Sequence, residues 1–155
     1  MRKRFTVFIA LAVLAAGGAA WALDTNTLTV TASVTGTCKF VAPKTSTLSF
    51  TLDPSVGTNI STSTTTTFWC TKGVTLLPFG SGPGLYFAGG KNNMRDSVSG
   101  DSIPYTIDSL IPDGGSNAGP GSPRTLTIAG TVLATDYTTK SAGNYSDTVA
   151  LTINP

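Results

Sequence analysis

The chain has 155 residues, 40% of them hydrophobic and 12% charged, with a formal net charge of +2, which suits one domain of the usual roughly 100 to 200 residues. It contains 27 Thr, 15 Ser, 17 Gly and 9 Pro but no His and no Glu, so imidazole base chemistry and a Ser-His-Asp triad are excluded. Thr, Val, Ile and Leu are abundant while helix formers are scarce; β-branched side chains pack well on a pleated surface and crowd a helix, so an all-β fold is expected.

Arg2, Lys3 and Arg4 precede an apolar run from Phe5 to Ala16, and small residues follow at Ala20-Trp21-Ala22. This is the pattern of a secretory signal peptide, and the run is shorter than the about 20 apolar residues that a spanning helix needs. Cleavage is expected after Ala22, with Ala20 as the second position and an uncleaved anchor as the remaining alternative. The mature chain then carries seven Lys/Arg and eight Asp, a net charge of 7 − 8 = −1. With no basic cluster left, nucleic acid and stable membrane insertion are not expected.

Leu28, Val30, Ala32 and Val34 alternate with Thr27, Thr29, Thr31 and Ser33, an amphipathic strand at the extreme mature N-terminus. Cys38 and Cys70, an even count in an exported chain, are expected to form one disulfide; two buried thiols are the alternative, and two thiolates alone cannot complete a zinc shell. Apolar segments follow at Lys39 to Ala42 and Leu48 to Leu52. Ser61 to Cys70, almost all Ser and Thr before Phe68-Trp69, suits a strand with an exposed face. Leu76 to Phe79 and Leu85 to Ala88 are expected as short strands around a Gly80–Gly84 turn or wide bulge. Ile103 to Ile107 is the next strand, and Asp113 to Pro123 a loop of mostly Gly, Pro, Ser and Asn. Two further alternating segments, from Thr125 to Val132 and from Thr148 to Ile153, close the chain. No helical periodicity follows residue 22, so the expected architecture is an antiparallel sandwich.

These residues resemble the spore coat protein U-like secreted pilins of the archaic chaperone-usher pathway. The resemblance covers nearly the whole mature chain and rests on the alternating strand ending four residues before Cys38, on Phe68-Trp69-Cys70, and on Met94-Arg95 leading to Ile103-Pro104-Tyr105. Its most specific part is the closing series: Leu126 to Val132, Ala142 to Val149, then the terminal strand. It implies an incomplete immunoglobulin-like antiparallel sandwich that lacks its last strand, leaving a hydrophobic groove. A periplasmic pilus chaperone fills that groove first, and the N-terminal extension of a neighbouring pilin subunit replaces it at an outer-membrane usher. The implied organisation is a signal peptide over 1–22, a donor-strand extension over 23–36 and a pilin domain over 37–155. Leu28, Val30, Ala32 and Val34 would be the donor residues, and Val149, Leu151 and Ile153 would line the acceptor groove. The protein would be exported through the periplasm into a surface fibre, no enzyme and without a cofactor. Tip adhesins of the family resemble two-domain chains, and a secreted coat protein with the same fold is the other alternative. Family members commonly end on an aromatic residue where this chain has Asn154-Pro155; proline donates no N–H, so pairing is expected to stop at Asn154.

Other constellations carry less. Gly80-Ser81-Gly82-Pro83-Gly84 lacks the Gly-Lys-Ser/Thr end of a phosphate cradle. Asp96, Asp101, Asp108 and Asp113 match no calcium loop and are expected as solvated loop acids. Trp69, Phe79, Tyr86, Phe87 and Tyr105 suggest a glycan platform, but each lies beside apolar neighbours and is expected in the core. Tyr145, after Gly143-Asn144 and before the last strand, is expected to turn its hydroxyl back to the backbone as a corner lock.

Overall fold

The computed structural model describes residues 23–76 and 78–155; the expected signal peptide, residues 1–22, lies outside them. The chain divides into two units, Met1–Ser33 and Val34–Pro155. In the first, residues 23–33 are exposed and form no regular secondary structure. Alternation alone does not make a strand, because backbone N–H and C=O groups need a ladder partner.

The second unit holds β1 (Cys38–Phe40), β2 (Ile60–Cys70), β3 (Gly80–Gly84), β4 (Asn92–Asp96), β5 (Ser102–Pro112), β6 (Arg124–Val132), a single helical turn α1 (Ala134–Tyr137), β7 (Tyr145–Ser146) and β8 (Val149–Thr152). Six strands form one sheet in the order β1-β2-β6-β5-β4-β7, and β3 pairs with β8 in a second; the pairings are antiparallel. The protein is thus all-β, as expected, and consistent with an immunoglobulin-like sandwich. Long β2 follows from its alternation: Ser61, Ser63, Thr65 and Thr67 face solvent, while Thr64 and Thr66 stand opposite Ile128 and Leu126 of β6.

Two apolar clusters fill the interior. Phe68, Cys70, Leu126 and Ile128 form one, against which Phe79, Leu151 and Ile153 pack. Ile103, Tyr105, Val132 and Tyr137 form the other, covered by Phe50, Leu52 and Val149. The two clusters mark the two ends of the body. At the first, Gly119 N–H donates to Cys70 O and Thr71 N–H to Thr37 O. At the second, the Tyr137 hydroxyl donates to Thr58 O at 2.7 Å, and Ala134 N–H to Asn59 Oδ1 at 2.9 Å.

Several expectations need correction. Gly80–Gly84 is itself a strand, bulged between Ser81 and Gly84 against β8, and Leu85 to Ala88 forms a turn rather than a strand. The glycine-rich segment pairs because Gly80 and Gly84 admit side chains of β8 and the residues before it that a Cβ would meet, Thr152 Oγ1 at 2.6 Å and Asp147 Oδ2 close to Gly84. Tyr86 and Phe87 consequently leave the core: both are exposed. Asp96 is no solvated loop acid but a buried residue of β4. The strand expected at Ile103 to Ile107 runs to Pro112, past a bulge between Ile107 and Ser109 that breaks the apolar alternation. The terminal strand stops at Thr152, two residues before Asn154.

Cys38 and Cys70 are joined, with 32 residues of sequence separation. In the chain-entropy picture this closure contributes roughly 3 to 4 kcal/mol. Alkylation of the exported protein is expected to label no thiol, and Cys38→Ser with Cys70→Ser to lower unfolding free energy by about that amount in urea titration.

Candidate functional site: an open groove between the sheets

A groove of about 770 Å³ opens between two rims. One rim is the segment Leu48–Leu52, where Leu48, Phe50 and Leu52 turn inward while Ser49 and Thr51 face solvent. That is strand alternation, yet no ladder pairs this segment among the described residues. The other rim is β8 with the residues before it: β8 pairs with β3 along one edge only, and Val149 and Leu151 line the groove. Ile103, Tyr105 and Ile107 of β5 and Ile128 of β6 make an apolar floor. Leu48–Leu52 and β8 thus both line the groove over core side chains, and each has a backbone edge that no ladder pairs among the described residues.

Polar groups hold the β8 rim in place. Asp147 accepts the Tyr105 hydroxyl at 2.8 Å on Oδ2 and the N–H groups of Thr148 and Tyr86 on Oδ1, at 2.8 and 3.3 Å. Burial first, then the bond to this carboxylate, pushes the Tyr105 hydroxyl well above the ordinary tyrosine range, so it stays a donor at all physiological pH. The Tyr145 hydroxyl donates to Ser141 O, four residues upstream, at 2.8 Å, the geometry of a tyrosine corner. Asp96 accepts Ser99 N–H and Ser99 Oγ–H, each at 2.7 Å, and Asp101 accepts Ser141 N–H at 3.0 Å.

Those bonds stabilise the charged carboxylates. Ser99, through its N–H and then its hydroxyl, holds Asp96 below the ordinary 3.8; Ser141 lowers Asp101 and Ser55 lowers Asp53, each through the hydroxyl first and the N–H second. Groups with depressed folded-state pKa contribute stability that is present above the unfolded value and lost as pH falls through the folded one. The melting temperature is therefore expected to stay level from pH 7 to about pH 5 and to fall below pH 4, a drop that Asp96→Asn reduces.

The sequence-derived residues sort as follows. Val149 and Leu151 line the groove, whereas Ile153, beyond the end of β8, packs on the Phe68 cluster. Leu28, Val30 and Val34 are more than four-fifths exposed, and Ala32 is exposed as well. Sequence reasoning did not assign the opposite rim, Leu48–Leu52, or the floor residues on β5 and β6; the alternation of Leu48, Phe50 and Leu52 was the available signal. Among the described residues no group of three or more His, Cys, Asp or Glu could hold a metal ion.

A family model described as Spore Coat Protein U domain matches residues 24–152. The chain belongs to this family. The match includes the N-terminal segment with Leu28 to Val34 and stops at Thr152, where β8 ends. No curated protein matches the chain. Spore Coat Protein U domains are structural, pilin-like units rather than enzymes, which makes the chain a pilus- or coat-type surface subunit. No helix among its described residues is long and apolar enough to cross a membrane.

Proposed function

We propose that this Spore Coat Protein U domain is a structural subunit of a surface pilus, held in the periplasm by a chaperone and polymerised at an outer-membrane usher by donor-strand exchange. The observation that carries this is the gap between Leu48–Leu52 and β8, in a chain that also has an alternating apolar segment at Leu28 to Val34. Strand addition, of which donor-strand complementation is a known form, supplies both needs: main-chain bonds satisfy the open edges, and alternate side chains fill the groove. Burying Leu28, Val30 and Val34 contributes roughly 4.5 to 9 kcal/mol before ordering costs, with Ala32 adding little. An uncovered hydrophobic edge is an aggregation hazard, so a chaperone before assembly and a neighbouring subunit after it fit the same surface.

The test is deletion. A mature chain lacking residues 23–34 is expected to form no fibres, to bind a synthetic peptide of residues 23–36, and to gain several degrees in melting temperature on doing so. Fibres formed normally by the deleted chain would overturn donor-strand exchange. A secreted coat built from the same domain is separated from a pilus by electron microscopy of the producing cells.

A further inference from the structure

The end of the body that carries α1 exposes apolar side chains. Val56 is 57% exposed, Leu133 43% and Val98 93%, although the turns that bear them are fixed. Asn59 and Thr58 bond to α1 as described, and Asp101 ties the Val98 turn to Ser141. Each of these apolar residues has an acid three residues away in the sequence, Asp53, Asp101 and Asp136; the cations of this end are Lys140 and, beside Gly100 in the Val98 turn, Arg95, so the Val56 and Leu133 side of the end is the more acidic. The disulfide end has the opposite sign. Lys39 and Lys72 are exposed there, while Arg124 is matched by Asp113 in an ion pair at 2.8 Å.

We propose that the α1 end is the seat for the disulfide end of a second copy of this chain, with Lys39 and Lys72 of the incoming copy facing Asp53 and Asp136 around the exposed Val56 and Leu133. The proposal rests on donor-strand exchange as its starting point and adds to it a contact between the bodies. Only residues 35–37 separate the last donor residue, Val34, from Cys38, and four Cα steps reach at most about 14 Å. A copy whose extension fills the groove therefore holds its own disulfide end close to a groove mouth. Pro54 and Lys140 line the groove and neighbour Asp53 and the Asp136 turn in the chain, so this end of the groove is the acidic one, whereas insertion in the opposite direction would bring two lysine-bearing ends together. Opposite charge of this kind chiefly raises the rate of encounter, and covering the exposed Val56 and Leu133 in the contact then contributes to the hold.

The experiment compares the mature wild-type chain with Lys39→Asp/Lys72→Asp, with Asp53→Lys/Asp136→Lys, and with the chain carrying all four changes. Polymer growth is followed by light scattering at about 20 mM and 500 mM salt, and affinity for the 23–36 peptide is measured in parallel. Each double variant is expected to polymerise roughly tenfold more slowly at low salt, the four-fold variant to recover, the differences to vanish at high salt, and all four chains to bind the peptide equally. The peptide has no body, so its binding reports the groove and the fold alone. Equal growth rates with normal peptide binding would overturn the end-to-end contact and leave donor-strand exchange standing. A slow four-fold variant that still binds peptide also overturns it. Failure of the peptide to bind wild type overturns donor-strand exchange itself, and the end-to-end contact with it.

Discussion

Val30→Asp is expected to abolish fibre formation while leaving a folded, soluble subunit in complex with its chaperone, and Leu151→Asp to lose both the fibre and the chaperone complex. The difference follows from where the two residues stand. Val30 is exposed in the subunit, so a carboxylate there costs the monomer little. In a neighbour's groove it would meet Ile103, Ile107 and Ile128 without a partner, at a cost of several kcal/mol or by taking up a proton. Leu151 already lines the groove and packs on the Phe68 and Leu126 cluster. An aspartate there spoils the acceptor for every incoming strand and lowers the stability of the body by roughly 2 to 5 kcal/mol. Co-purification with the chaperone and electron microscopy of cells read the two outcomes separately. Unfolding of the Val30→Asp monomer would place that segment within its own domain.

Elements with an unbroken period of two were legible from the sequence: β2, β6 and β8 lie where Ser61 to Cys70, Thr125 to Val132 and Thr148 to Ile153 indicate, within one or two residues. The cysteine count likewise pointed to the bond that is found. Strands made without that period were missed. β4 reads Asn92-Asn93-Met94-Arg95-Asp96, polar throughout apart from Met94, because Asn93 spends its side chain on Tyr86 O, Ala88 O and Lys91 O and Asp96 on Ser99. Such residues are buried by satisfying backbone groups, which hydropathy does not register.

The groove was half legible. Val149 and Leu151 stood out because β8 is a regular strand, while Leu48–Leu52 has the same alternation in a segment that no ladder pairs among the described residues. Nothing local distinguishes an edge segment over the core from a loop with three apolar residues; what the structure adds is that Leu48 and Phe50 lie over Gly130 of β6, and Phe50 against Tyr105 at 6.4 Å between ring centroids. Tyr137 was missed for a related reason. A single helical turn has too few residues for a helical period, yet its ring is fully buried and its hydroxyl ties α1 to Thr58.

Gly130→Ala is expected to be among the most damaging small changes in the body, and to damage the groove before the rest of the fold. Gly130 sits in the central strand, opposite Thr62 on one side and Ile107 on the other. A Cβ there would lie 2.6 Å from Thr106 O, 2.8 Å from Leu48 Cδ2 and 3.4 Å from Phe50 Cζ. The first contact is backbone in a three-strand ladder and cannot yield without shifting β5 against β6. The other two belong to the unpaired rim, which has no ladder to hold it and gives way more readily. Overpacking of this kind costs roughly 1 to 3 kcal/mol, and lifting Leu48 and Phe50 off the sheet moves one edge of the gap that an incoming strand must bridge. Urea denaturation of the mature Gly130→Ala chain is expected to show that loss of stability, and titration with the 23–36 peptide an affinity at least tenfold weaker than wild type. Ala129→Gly, one residue away, is the control: it adds backbone entropy to the unfolded chain at about 0.5 to 1 kcal/mol but introduces no contact beneath Leu48, so it is expected to bind the peptide like wild type. Wild-type affinity in Gly130→Ala would mean that the Leu48–Leu52 rim is not an edge to which the strand pairs.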